Sequence, residues 1–153
     1  MQSGAITLRL AERGDSNAIA TMSRDLIEAG LGWAYRPERI RRMIGNRESN
    51  TLLACDQSDP VGFAVMRSCA STSRVGPLFA DSPGIAAALV AALARQTGAT
   101  GIAIDIPDIN KPAVALAEAA GLKPSFETAR MYTADPPAME RAGLFGVTSL
   151  ELG

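Results

Sequence analysis

A chain of 153 residues with 47% apolar residues and a formal net charge of −1 is sized for one globular domain, spanning residues 1–153, that buries its own core. It has no basic run to neutralise a nucleic-acid backbone, and no apolar run approaches the roughly 18 residues of a membrane span, so neither partner is expected. The absence of histidine removes Ser-His-Asp and Cys-His catalysis, His-containing zinc sites and any imidazole base, and no metal is expected.

The opening MQSGAITLRL lacks the charged start and long apolar stretch of a secretory signal, which places the chain in the cytoplasm as an expectation. Within it ITLRLA alternates Ile6, Leu8 and Leu10 with polar residues, the period of a half-buried strand. GDSNAIATMSRDLIEAG follows as a helix, with Asp15 or Ser16 as its cap, Ile19, Met22 and Leu26 on one stripe and Gly30 as its stop. A second short helix is expected from Pro37, with Ile40, Met43 and Ile44 facing inward and the arginines at 36, 39, 41, 42 and 47 on a solvated flank. NTLLACD and PVGFAVMRS, around the turn QSDP, read as an antiparallel pair, and Cys55 and Cys69 as reduced thiols in or near the core.

VGPLFA is then a strand that breaks at Ser82-Pro83-Gly84 into an alanine-rich helix. GIAIDI is the next strand, followed by a helix from about Pro112 to Ala120, a strand PSFETARMYT, a proline-rich loop and a last strand GVTSLEL. The expected order is β-α-α-β-β-β-α-β-α-β-β. Its central β-α-β implies a parallel strand pair within a mixed, mostly antiparallel sheet carrying helices on both faces, an α/β (α+β) fold. The carboxyl ends of the parallel pair are the usual place for a ligand.

Two motifs lie there. DSPGIAAALV resembles the acetyl-CoA loop of the GNAT superfamily of N-acetyltransferases: Gln or Arg, two residues, Gly, one residue, then Gly or Ala. Gly84 and Ala86 match, and Asp81 stands where the basic or amide residue belongs. Small residues there let backbone approach a diphosphate whose charge meets free amides at a helix start. IDIPDINKPAVALAEAAGL is similar to the superfamily's second signature, with Asn110, Ala113, Leu116 and Gly121 in register. The likeness covers nearly the whole chain and is greatest to the C-terminal GNAT-type domain of two-domain acetyltransferase-like proteins.

The resemblance implies the GNAT fold and transfer of an acetyl group from acetyl-CoA to a small amine. It implies a cofactor cleft lined by Phe79, Ala80, Asp81, Ser82, Gly84, Ile85, Ala86, Asn110 and Ala113, with a backbone amide near Phe79 or Ala80 polarising the thioester and Gly76-Pro77 supplying the irregularity that frees it. The tyrosine that often protonates the departing thiolate is Ala117 here, leaving Tyr132 or Tyr35 as substitutes. The proton of the amine would pass to Glu28, Asp105 or Glu127; Asp105, set between Ile104 and Ile106, is equally a structural hydrogen-bonding residue. Trp33 and Tyr35, in LGWAYRP, would wall the acceptor side, with Glu127 nearby. Asp81 and Ala117 keep a second expectation open: a non-catalytic GNAT-like module that binds a ligand or partner. The terminal strand, with Thr148, Leu150 and Leu152 on one face, is expected at a sheet edge where a second copy would make a homodimer.

Overall fold

The computed structural model describes residues 4–25, 35–136 and 141–148. In chain order these form β1 (Ile6–Leu10), a 3-10 turn (Arg13–Asp15), α1 (Ser16–Ser23), α2 (Pro37–Met43), β2 (Ser49–Asp56), β3 (Asp59–Ser68) and β4 (Ser73–Ala80). Then come α3 (Pro83–Thr97), β5 (Ile102–Ile104), α4 (Lys111–Ala119) and β6 (Leu144–Gly146). The strands make one sheet in the order β1-β2-β3-β4-β5, antiparallel except for the β4–β5 pair, with β6 antiparallel on β4.

Period-two alternation sorts the central strands cleanly. Leu52, Ala54, Ala64 and Met66 face one way and pack under Leu89 and Leu93 of α3 and Ala113 of α4. Leu53, Cys55, Phe63 and Val65 face the other way, toward Ile19 of α1 and Ile40 and Ile44 of α2. On that second face Phe63 meets Phe79 edge-on, with ring centroids 4.9 Å apart.

The alternation slips in the middle of β4. Ala64 pairs with Leu78 but Met66 with Val75, so β3 advances two residues while β4 advances three. The extra residue is a bulge at Gly76-Pro77, which the sequence reading anticipated as an irregularity. Both residue types are needed: a Cβ on Gly76 would lie 2.2 Å from the carbonyl oxygen of Val147, and Pro77 has no amide to leave unpaired.

Below the bulge, Ser73–Val75 of β4 pairs in parallel with β5. Above it, Leu78 and Phe79 pair with Gly146 and Leu144 of β6. The amide of Val147 also donates to the carbonyl of Asp105 at 2.9 Å, just beyond β5. The two parallel strands therefore part after Val75, and β6 enters the gap between them.

Several expectations are corrected. The segment 124–133 is not a strand: Phe126 and Met131 are exposed, and the neighbouring strand β5 is only three residues long, too short an edge to recruit another. The terminal strand is interior rather than at an edge; Thr148 hydrogen-bonds Tyr35, while Leu150 and Leu152 lie outside the described residues. Met43 is 40% exposed instead of facing inward, and Cys69 is exposed while Cys55 is buried. Asp15 stands at the N-cap position of α1 as expected, but its side chain makes no capping bond, because it accepts both nitrogens of the Arg9 fork at 2.7 Å and the Glu12 amide at 2.7 Å; the Ser16 hydroxyl is buried without a partner. The Leu26 and Gly30 expectations lie outside the described residues. No helix among the described residues is long and apolar enough to cross a membrane.

Candidate functional site

The two motifs build two helix starts of different character. At α3, Ser82 is the N-cap, its hydroxyl accepting from the Ile85 amide at 3.3 Å, and Pro83 fills the first helical position. Gly98, at φ 64°, stops the helix in the left-handed region. Gly84 is exposed, and a Cβ there would meet nothing nearer than the Ser82 hydroxyl at 3.9 Å, so the fold itself does not require a glycine at this position. A glycine with open space beside it at a helix start leaves the backbone free to be approached by an anion. Asp81 does not fit that ligand. Partial loss of water raises its carboxyl above the ordinary value, and no cation among the described residues offsets the effect.

At α4 the cap is Asn110, buried at 5% exposure. Its side-chain oxygen accepts from the Ala113 amide at 3.4 Å, while its Nδ2 donates to the carbonyls of Arg141, Ala142 and Leu144 at 3.2, 3.3 and 2.7 Å. Both ends of the amide are spent, and Asn110 is the clasp that holds the lead-in to β6. The same segment takes the backbone donor expected to polarise a thioester: the Ala80 amide donates to the carbonyl of Gly143 at 3.1 Å. The bulge is present, but the amide beyond it is bonded to the chain's own β6 lead-in.

The carboxylates and tyrosines disperse. Asp105 pairs with Arg74, and its main-chain oxygen receives Val147, which ties it to the junction of β4, β5 and β6. Tyr132 and Glu127 lie in the exposed segment 124–133, the Tyr132 hydroxyl receiving Arg130 Nη1 at 3.3 Å. Glu28 and Trp33 lie outside the described residues. Tyr35, expected to wall the acceptor side, has its hydroxyl bonded to that of Thr148. Ala117 sits on α4 with nothing to give a proton. Among the described residues no three His, Cys, Asp or Glu side chains are grouped to hold a metal ion.

Tyr35 belongs to a small, open apolar groove on the α1–α2 face of the sheet, with a cavity volume of about 50 Å³. Ile19, Ile40, Met43, Phe63, Val65 and Pro77 give its walls, and among the described residues Arg67 is its one charged lining residue. Sequence reasoning missed Arg67. The signal was there: in PVGFAVMRS it continues the parity of Phe63 and Val65, so it must share their face.

The acetyltransferase (GNAT) domain model matches residues 28–146. The fold is that of the ribosomal-protein-alanine N-acetyltransferase from Brucella melitensis biovar Abortus 2308, at 17% identity and a TM-score of 0.65 over 86% of this chain and 99% of that one. It is equally that of the aminoglycoside antibiotic 6'-N-acetyltransferase AAC(6')-Ih from Acinetobacter baumannii, at 14% identity, a TM-score of 0.63 and coverage of 86% and 100%. AAC(6')-Iy, solved in complex with a bisubstrate analogue, CoA-S-monomethyl-acetylneamine, gives 14% identity, a TM-score of 0.64 and the same coverage of 86% and 100%. Identities this low establish the fold alone, and no curated protein matches the sequence. The family model, spanning most of the chain and both helix-start motifs, decides the assignment: this chain belongs to the GNAT acetyltransferase family.

Proposed function

We propose that the chain is an acetyl-CoA-dependent N-acetyltransferase for a small amine, with acetyl-CoA at the start of α3 and the amine in the groove on the opposite face of β4. The observation that carries this reading is Gly84, a glycine with free space beside it at the N-terminus of a capped 15-residue helix fed directly by the bulged strand. Acetyl-CoA supplies the activated acyl group. The chain's own residues have the tasks of holding the diphosphate on the α3 amides and placing the amine against the bulge. Asp105 is assigned a structural role by its pairing with Arg74; Glu28, Glu127 and Tyr132 remain the proton-carrying groups of this proposal. An unassisted leaving thiol with a pKa of roughly 8.5 departs tolerably near neutral pH, so Ala117 slows the reaction without forbidding it.

Calorimetric titration with acetyl-CoA, paired with thermal unfolding, tests the proposal. Ligand at ~100 times its Kd adds about 2.7 kcal/mol of stability, and a millimolar titration with neither heat nor thermal shift rejects it. Asp81→Arg sharpens the result. A carboxylate ~5 Å from a phosphate costs about 1 to 3 kcal/mol per unit charge at effective dielectrics of roughly 80 to 20. Acetyl-CoA should therefore bind the Arg variant several-fold more tightly, with the gain shrinking as salt is added.

A second reading, a binding module without turnover, is favoured by one observation, the Ala80 amide engaged with Gly143. It forecasts no change in acetyl-CoA affinity for Asp81→Arg.

A further inference from the structure

The groove between α1, α2 and the bulged strand is apolar except at one end, where Arg67, Thr148, Tyr35 and Thr51 meet. The Tyr35 and Thr148 hydroxyls bond one another. Arg67 Nη2 donates to the Thr148 carbonyl at 2.6 Å, leaving the second hydrogen of that nitrogen to spare. Its Nε is buried and has no hydrogen-bond partner. Folded proteins rarely leave a buried charged donor unmet, because the group has lost its water without a substitute. Arg67 forms no ion pair among the described residues, although Arg9, Arg24 and Arg74 each find a carboxylate. The described groove lining contains no Asp or Glu.

Arg67 lines the groove, and the hydrogens that its Nη nitrogens have to spare are charged donors of the kind a carboxylate accepts. The walls beyond it suit a hydrocarbon group. A polycation finds only repulsion there.

We infer that this groove takes a small molecule bearing a carboxylate beside an apolar group, with Arg67 as the anchor of the carboxylate. Resting on the acetyltransferase proposal above, it further assigns the acceptor class as an amino carboxylate with an apolar side chain. That class carries an anionic group that an aminoglycoside, a polycation, lacks. Arg67 acts here as a specificity residue. The carboxylate is favoured over a phosphate because a single guanidinium and no second described cation line the groove.

L-leucine and L-phenylalanine are suitable probes, each compared with its amide, which keeps the amine and the hydrocarbon but lacks the carboxylate. Binding is read by calorimetry without acetyl-CoA, so the result does not depend on turnover. The acids should bind at least about tenfold more tightly than the amides, and Arg67→Gln should shrink that acid-to-amide ratio toward one. Arg67→Lys should retain part of it, since charge remains but the fork does not. Because the acid-to-amide comparison uses the unaltered protein, misfolding of a variant would not spoil the test. Equal affinity for acid and amide, binding of neither acid at millimolar concentration, tighter binding of an aminoglycoside, or displacement of leucine by equimolar inorganic phosphate would each overturn the inference. Carboxylate binding without acetylation of these amines would uphold the groove assignment and defeat the acetyl-transfer reading instead.

Discussion

The two faces of the sheet are closed to different degrees. On one, α3 runs 15 residues across the strands and presses Ala86, Leu89 and Leu93 into Met66 and Leu78, all at most 1% exposed. On the other, α1 and α2 span eight and seven residues and leave the groove, with Met43 at its lip. An α-helix rises about 1.5 Å per residue, so the 15 residues of α3 run about 22 Å across the strands, against about 10 Å for the seven of α2. The filled face holds the fold together, and the described residues of the other face leave it partly open.

Substitutions test this division, beginning with the filled face. Leu93→Ala, at a residue with no exposure, should cost about 2 to 5 kcal/mol in urea unfolding, whereas Met43→Ala at the groove should cost under ~1 kcal/mol. Similar costs at both sites would show that the groove is ordinary core. Asn110 joins the two faces through β6 and comes next. Asn110→Ala should lose about 1 to 3 kcal/mol by abandoning the Arg141, Ala142 and Leu144 carbonyls. Asn110→Asp keeps the acceptor for the Ala113 amide but has no N–H to donate, so it separates the two roles: as harmful as alanine if the clasp dominates, nearly harmless if the cap does.

The smallest effect expected is at the rim of the half-covered face, where Arg9 grips Asp15 just before α1. The Arg9 fork and the Glu12 amide hold the Asp15 carboxyl below its ordinary value. The folded state thus binds that proton less readily than the unfolded one. The pair's contribution is present above the unfolded carboxyl value of about 3.8 and disappears as pH falls through the lower folded value. Arg9→Ala should cost up to about 1 kcal/mol at neutral pH, since Arg9 is partly exposed, and should flatten the acid limb of stability against pH.

Most of the fold was legible because its signals are local. Alternation in NTLLACD and PVGFAVMRS, and Ser82-Pro83 before an alanine-rich run, specify strand and helix whatever surrounds them. The errors involve partners. PSFETARMYT has residues suited to a strand, but a strand also needs an edge, and β5 offers only Ile102–Ile104. The candidate site was half legible for the same reason. Ser82 and Gly84 act within their own turn and were read correctly as a helix start, whereas Asn110 depends on carbonyls about thirty positions later, for which its own motif holds no sign. Arg67 is intermediate: its face follows from parity, but its unmet Nε appears only once the groove is assembled.

The place of β6 also bears on how the molecule is made. Every other described strand leaves the ribosome before it, and β4 must keep half of one edge unpaired until Leu144–Gly146 arrives. Closing so long a loop is slow, and an unpaired edge beside exposed apolar residues is where nascent chains associate wrongly. A chain stalled short of Arg141 would expose Leu78 and Phe79, together with an Asn110 amide that has lost its three carbonyls. The interval before residues 141–146 emerge is when β4 is most open to pairing with another chain.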